Sequence, residues 1–342
     1  MPFAEIGTSI IAAPMAGGTS TPGFVTAVHR AGALGFLAAG YKSAEAVSAE
    51  IRACREAGIR FGVNVFVPDP AQLSPSPDAV AALEEYRSSL GQDAARYGVS
   101  VPPLVLDDDD AWQEKIDLLL QDPVELVSFA FGLPDSAVVR ALRKAGSTVL
   151  ATVTSRAEAE LAADCGFDAL VVQHSSAGAH SGAFLPAAQQ GATPPSTADL
   201  VREVGAAVGL PLVAAGAVSD AGTVRAVTGA GAVAAQVGTA LLRTDESGAR
   251  QLHKDALGDD RFSETTPTRA FTGRYARALV NDFVRDHLDA PQGYPAIHHL
   301  TAPIRAAAAA AGDPERLNLW AGKGWRSART GPVAGAIGAL LE

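Results

Sequence analysis

The chain has 342 residues, 48% of them hydrophobic, with 34 glycines, 6% aromatic residues and a formal net charge of −10. That length and apolar content supply a large buried core, and the composition fits neither a disulfide scaffold nor a disordered chain. The negative balance, with no Lys/Arg run to offset it, argues against a nucleic-acid partner, which needs a clustered basic surface.

Short apolar or β-branched runs alternate with longer helical patterns from the start of the chain. The predicted strands are Ser9–Ala13, Leu34–Ala38, Arg60–Phe66, Leu126–Phe129, Thr148–Val153, Ala169–Gln173, Leu212–Ala215 and Ala232–Val237. Between most of them lie Ala-rich segments with charges on one face, such as Ser43–Ala57, Asp135–Ala145 and Ser155–Asp164. Gly58, Gly146 and Gly166 follow these segments and supply left-handed C-caps. The strands are apolar nearly throughout, as expected when helices cover both faces of a parallel sheet. Eight such repeats read as an α/β fold closed into a (β/α)8 TIM barrel, with an open doubly wound sheet as the alternative.

Two segments interrupt the rhythm. Residues 67–105 open with Pro68, Pro70, Pro75 and Pro77, excluding a helix or central strand there, and then predict a helix from Asp78 to about Arg96. The second is the tail from Glu246, with a helix expected around Tyr275–His287, a Pro/Gly/His-rich loop at 291–303 and a helix at Ile304–Ala311. Val333–Leu341 reads as the barrel's eighth helix. The expected organisation is a cofactor-binding barrel over 1–245 with an insertion after strand three, a mainly helical substrate-side extension over 246–330, and a terminal helix over 331–342 packing back on the barrel. Insertions at the C-terminal ends of barrel strands build the active-site rim, so both are candidate substrate walls.

Asp107–Asp110 reads as a helix N-terminus rather than a metal site, because four adjacent carboxylates cannot all face one ion. Cys54 and Cys165 lie far apart near helix ends and read as packing residues, with neither metal spacing nor a disulfide framework. The N-terminal stretch lacks a basic region and is broken by Pro14, so a signal peptide is not expected. No window approaches the roughly 18 apolar residues of a membrane span. The expected compartment is the cytoplasm, with no membrane partner.

The strand ends carry the chemistry. In PLVAAGAVSDAGTVRAVTGAGAVAAQVGTALLRTDES, Gly216 ends the seventh strand and Gly238-Thr239 ends the eighth. Loops there form the usual phosphate site of a barrel, with backbone N–H groups and a short helix N-terminus facing the anion. Ordinary turn glycines are the bland alternative. Gly229-Ala230-Gly231 resembles a dinucleotide fingerprint but follows a helix and leads into a strand, the wrong order for binding pyrophosphate. One phosphate therefore favours FMN over FAD or NAD. Pro14, Met15, Ala16 and Gly17 form a small-residue turn after the first strand, either a surface for a flat ring or a plain β–α turn. Asn64 sits near the end of the buried third strand and needs partners, from a ligand ring or from the protein. The sixth strand ends in ALVVQHSSAGAHSGAF, where Gln173 leaves the strand and His180 is placed to exchange protons near neutral pH. A surface loop histidine is the alternative for His180; His174 reads as structural.

Taken together, APMAGG, FGVNVF, VELVSFAFGLP, VVQHSSAGAHSG, AAGAVSDAGTVRAVTGAGAVAAQVGT and LNLWAGKGWRSAR resemble, in order and spacing, the nitronate monooxygenase family, formerly called 2-nitropropane dioxygenases. The resemblance implies FMN on a barrel and oxidation of alkyl nitronates with O2 to an aldehyde or ketone plus nitrite, without a metal. It places flavin contacts on Met15, Asn64, Gln173, Gly178, Gly216 or Ala217, and on Gln236, Val237, Gly238 and Thr239. It makes His180 the catalytic residue, taking the α-proton of a neutral nitroalkane or holding a bound nitronate, with the flavin as electron acceptor. The implied partners are a small-molecule substrate and O2, with a homodimer as a candidate assembly.

The chain departs from the family pattern at His174, Ser176 and Ala179, where Gly, Glu and Gly are usual, and at Ala130, where many relatives have His. These changes alter pocket polarity. The nearest rival reading is an NAD(P)H-dependent flavin reductase of quinones or an enoyl thioester; another is a flavin-binding protein without turnover. An inosinate-dehydrogenase-like barrel needs a nucleophilic cysteine in an active loop, which neither Cys54 nor Cys165 supplies. Tyr275, Tyr294, His298, His299 and Lys323, in the tail, read as surface or structural residues.

Overall fold

The structure, a computed structural model, describes residues 6–342. In chain order its strands are β1 (Ile10–Ala12), β2 (Leu34–Ala38), β3 (Phe61–Phe66), β4 (Leu126–Ala130), β5 (Thr148–Val153), β6 (Ala169–Gln173), β7 (Ala179–His180), β8 (Leu212–Ala215), β9 (Ala234–Val237), β10 (Thr265–Thr268) and β11 (Ala276–Leu279). Strands β1–β6, β8 and β9 form a closed parallel barrel, β9 returning to β1 through the register Ile11↔Gln236. The predicted strands fall on these elements to within two residues at either end.

Apolar residues on both faces of each strand build two concentric cores. In β6, Ala169 and Val171 point into the barrel with Ile11, Phe36, Leu126 and Leu150, while Leu170 and Val172 meet the surrounding helices. This double burial is why the strands show little alternation in sequence. Gly62 makes room for the barrel plug, since a Cβ there would lie 2.2 Å from Phe36 Cε1. The helices carry the expected caps: Ser43 accepts from Ala46 N, and Gly146 and Gly166 close their helices with φ of 104° and 91°. Gly229–Gly231 likewise ends a helix before β9, and Val333–Leu341 packs between the helices Pro22–Arg30 and Ala221–Gly229 as the barrel's last.

The insertion and the tail meet over the C-terminal end of the barrel. Leu83, Tyr86, Leu90 and Ala94 of the insertion share a core with Phe271, Phe283, Ile297, Leu300 and Ile304 of the tail. A buried ion network ties the same two segments, with Asp93 taking Arg316 Nε at 2.5 Å and His287 Nε2 at 2.8 Å. The expected insertion helix is two helices, Pro77–Ser89 and Gly91–Arg96, hinged at Leu90.

Two tail expectations are corrected. Residues 275–287 are not one helix: Ala276–Leu279 is β11, fully buried and paired with β10 and β7, and a short helix restarts at Asp282 with Asn281 as N-cap. Strand pairing with the segment that carries His180 overrides the local helical pattern. The segment 291–303 is not all loop, because a helix spans Ala296–Ala310 with Pro303 inside it. Its buried face, Ile297, Leu300, Thr301 and Ile304, outweighs the one backbone bond that proline removes. The acidic stretch precedes the helix Trp112–Gln121 without capping it: Asp110 accepts from Tyr41 N (2.7 Å) and pairs with Lys115 (2.8 Å), and Asp108 takes His299 (2.7 Å).

Among the described residues, no helix is long and apolar enough to cross a membrane, and no cluster of His, Cys, Asp and Glu is arranged to hold a metal ion.

Candidate active site

A cavity of about 320 Å³ opens at the C-terminal end of the barrel, within the usual size range of small-molecule sites. One wall is the turn after β1, with Pro14, Met15, Ala16 and Gly17. Ser20 holds this turn, accepting from Met15 N (2.9 Å). Asn64, Gln173, Gly178, His180, Gly216, Ala217, Gln236, Gly238 and Thr239 also line the cavity. Val237 does not: its side chain is buried in the core between barrel and helices, and its carbonyl accepts from Ala13 N. Strand alternation explains this, since Gln236 and Val237 point to opposite faces.

At one end of the cavity, the loops after β8 and β9 and the tail segment Ala321–Gly324 converge. A Cβ on Gly178 would lie 2.5 Å from Gly322 N, and one on Gly216 would lie 3.0 Å from His174 O. Thr239 Oγ1 accepts from Gly322 N (3.0 Å), and Lys323 N donates to Ser176 O (2.9 Å). The amides of Ala217, Val218, Gly238 and Thr239 have no acceptor among the described residues. Four free N–H groups on two adjacent loops form a concave donor set for an anion. The Gly238 and Thr239 amides open the short helix Thr239–Leu241, which has no side-chain cap, so a short helix N-terminus is part of the set, whereas Asp220 caps the helix Ala221–Gly229 with its own carboxylate. Farther along the wall, Asn64 donates to Ser128 O and Oγ, leaving its Oδ1 without a partner, and the Gln236 amide bonds to no described residue. Free amide donors, two spare side-chain carbonyls and a small-residue wall fit a flat, polar-edged ring system carrying one phosphate.

His180 stands on β7, paired with Ala276 of β11. Two anchors hold its loop. Gln173 donates to His180 O (3.1 Å) and accepts from Gly182 N (2.7 Å), so its amide is spent on the loop. Fully buried Glu158 accepts from Phe184 N (2.7 Å), Leu185 N (2.9 Å) and Thr154. The imidazole Nε2 lies 2.9 Å from Thr272 Oγ1, and Phe131, Tyr294 and Trp320 surround the ring at centroid distances of 5.4–5.8 Å. Burial pushes its pKa down to about 3, and the guanidiniums of Arg274 and Arg305 act in the same direction. His180 is therefore neutral at neutral pH.

His174 has the structural place expected of it, bonded to Ser176 Oγ (2.8 Å) and Pro194 O (2.9 Å). Ala130 also lines the cavity, its methyl presenting no polar group. Of the tail residues, His298 reaches the site and Tyr294 reaches His180, contrary to expectation. His298 stacks on Tyr41 at 4.1 Å, and burial holds its pKa near 2. His299 faces Asp108, Tyr275 is exposed beneath Arg269, and the Lys323 side chain is exposed.

Residue patterns gave no warning of Tyr41, Thr272 or Arg305, which reach the cavity from distant elements. Glu158 had a faint signal, since Ser155-x-x-Glu158 has capping-box spacing. Its carboxylate instead serves two loops.

The sequence profile of the family described as nitronate monooxygenase matches residues 3–342. A "Probable nitronate monooxygenase" of Staphylococcus aureus (strain MSSA476) is 34% identical over 340 residues, covering 97% of this chain and 93% of the relative. A protein of the same description from Staphylococcus saprophyticus is 33% identical, covering 92% and 88%. The crystal structure of nitroalkane oxidase from Streptomyces ansochromogenes superposes with a TM-score of 0.91 at 45% identity, over 97% of this chain and 94% of that one. FabK from Thermotoga maritima shares the fold, with a TM-score of 0.72 at 23% identity over 98% and 92% of the two chains. With its barrel closed and the histidine of the sixth-strand loop on the cavity wall, this chain belongs to the nitronate monooxygenase family and is a flavin-dependent oxidoreductase.

Proposed function

We propose that the chain binds FMN and oxidises alkyl nitronates with O2, yielding an aldehyde or ketone and nitrite. The observation that carries this reading is His180, held neutral on the wall of a cavity whose described lining residues include no carboxylate. Bound FMN supplies the electron acceptor. Ala217, Val218, Gly238 and Thr239 hold its phosphate through their free amides, with Gly216 letting it approach the main chain, and Asn64 and Gln236 meet the ring edge. Gln173 serves the site by bracing the His180 loop. The tail over 246–330 and the insertion over 67–105 act as the substrate-side cover of the barrel.

The hydrogen bonds favour one tautomer of His180. Thr272 Oγ1 donates to Arg274 O (3.3 Å) and accepts from His180 Nε2–H, leaving the lone pair on Nδ1 as the basic atom. A base whose pKa is pushed down to about 3 is poorly matched to a carbon acid. An anion bound beside it raises that pKa by favouring the charged form. The site therefore suits preformed nitronates better than neutral nitroalkanes.

The test is spectroscopic. The purified protein should show flavin absorbance that bleaches on anaerobic addition of a nitronate. Rapid bleaching by NADH, with no response to nitronate, overturns this reading in favour of an NAD(P)H-dependent reductase. His180→Asn should lower turnover of neutral nitroalkanes about 10²-fold, the low end for loss of a general base, and affect nitronates less. Full activity on both substrates removes the base assignment.

A further inference from the structure

Arg305 lines the cavity in a position that the proposed chemistry has not yet used. The described residues lining this cavity include no Asp, Glu or Lys, and its two arginines are Arg250 and Arg305. Arg305 projects from the helix Ala296–Ala310. Its Nε donates to Thr301 Oγ1 (3.1 Å), and its Nη2 donates to His298 O (2.9 Å) and lies 3.4 Å from His298 Nδ1. Thr301 is itself anchored, donating to Phe271 O (2.6 Å). None of these partners is a carboxylate, and Nη1 has no hydrogen-bond partner among the described residues.

The groups around this guanidinium carry no negative charge. His180 and His298 are neutral, burial holds the Tyr41 hydroxyl up at about 12, and the ion that acts on Arg305 is a second cation, Arg250; Arg274, which acts on His180 and Tyr41, is a third. Arg274 is already committed, donating to Ser181 O and Ala183 O and lying over the Phe131 ring. Desolvation opposes the charge on Arg305, holding its pKa down to about 10, yet the ion is retained in a chain whose net charge is −10. A half-buried, oriented guanidinium without a carboxylate partner is complementary to an oxyanion that arrives from outside. The phosphate end of the cavity has its own donors in the free loop amides, whereas Arg305 belongs to the group around His180, His298 and Tyr41.

We infer that Arg305 binds the anionic oxygens of the substrate and makes this a site for planar oxyanions of nitronate or carboxylate shape over neutral molecules of the same size. The inference rests on the proposed function for the identity of the anion and on the structure for its charge. Arg305 is thus a specificity-determining residue. His180 handles the proton, and Arg305 selects the ionised form.

Nitrate is a suitable probe, being planar, anionic and without a proton to remove; acetamide is a neutral counterpart. Calorimetric titration of the holoenzyme should show nitrate binding and no acetamide binding. Arg305→Gln should weaken nitrate at least tenfold and raise KM for a nitronate by a similar factor, with a smaller change in kcat and unchanged flavin content. Arg305→Lys should restore part of the affinity, because it returns the charge without the planar fork. Wild-type protein that binds acetamide as well as nitrate overturns the inference, as does an Arg305→Gln variant with wild-type nitrate affinity. If that variant fails to fold, the wild-type comparison and Arg305→Lys still decide the matter. Arg305-dependent nitrate binding without bleaching by nitronate would remove the proposed reaction and keep the anion site. Nitronate turnover with an unchanged KM in Arg305→Gln would do the reverse.

Discussion

Ala179 adopts φ = 61°, a left-handed conformation that an L-residue with a Cβ enters at a cost. Tyr41 (66°), Phe131 (76°) and Ala217 (49°) do the same, and all four line the cavity. Strained backbone concentrated at strand ends is a common feature of functional sites, where the surrounding packing over-determines the geometry. Ala179 occupies a place where glycine is usual in the family pattern, and it directly precedes His180. Ala179→Gly should therefore stabilise the protein by about 0.5–1 kcal/mol, the relief of strain exceeding the added entropy of the unfolded chain. A urea midpoint that moves down instead would show that this residue is not strained. Ser176 illustrates how a departure from the pattern is absorbed. Its backbone N–H donates to His174 Nδ1 (3.2 Å), which makes that nitrogen an acceptor and leaves Nε2–H to donate to Pro194 O. The pair is a self-contained brace, so replacing the usual carboxylate leaves no buried group unpaired.

Between elements, the decisive contact is the tail on the sixth-strand loop. Strand β11 pairs with β7, and Gly322 packs on Gly178 so closely that neither position has room for a side chain. In Gly178→Ala the new Cβ would meet the backbone of Gly322 at 2.5 Å and of Ala321 at 2.8 Å, and backbone cannot rotate aside. The variant should lose about 1–3 kcal/mol, as other overpacked sites do, and retain less flavin because Thr239 shares the contact. Thermal unfolding and the flavin-to-protein absorbance ratio check this; wild-type values for both would mean that the tail docks loosely. These are the elements that sequence reading handled worst. The barrel strands were visible because each is an apolar run bounded by turn residues, a local property. Residues 275–287 looked helical and contain a strand, because the partner that selects the extended form lies about a hundred residues away, in β7. The helix through Pro303 was obscured for a related reason: its stability comes from a buried face against Phe271 and Phe283, which outweighs the proline signal.

Across the whole molecule, three histidines are kept neutral by burial, with pKa values pushed down to about 3 for His180, 4 for His253 and 2 for His298. In the unfolded chain an imidazole titrates near 6.5. As pH falls below that value the unfolded state takes up protons that the folded state refuses. The stability these residues contribute is therefore complete above about pH 6.5 and is lost progressively as pH falls toward the folded values. His253 offers the cleanest test, since it lies behind Trp320, donating to its carbonyl (2.9 Å). His253→Gln keeps a donor and removes the titration, so the fall in urea midpoint between pH 6.5 and 4 should become shallower, by up to about 1.4 kcal/mol per pH unit. An unchanged slope would place the acid sensitivity elsewhere. By itself the sequence determined the barrel, the strand-end turns and the identity of several cavity-lining residues at the strand ends, because strand periodicity, helix caps and glycine turns are written in neighbouring residues. It carried the resemblance that singled out His180. Tertiary structure alone decided what surrounds that histidine: Thr272 at its Nε2, Tyr41 and His298 stacked nearby, and Arg305 without a counter-ion. These groups arrive from elements separated by tens to hundreds of residues, and their effect on one another is electrostatic and set by burial, a property that exists only once the chain has closed over the barrel.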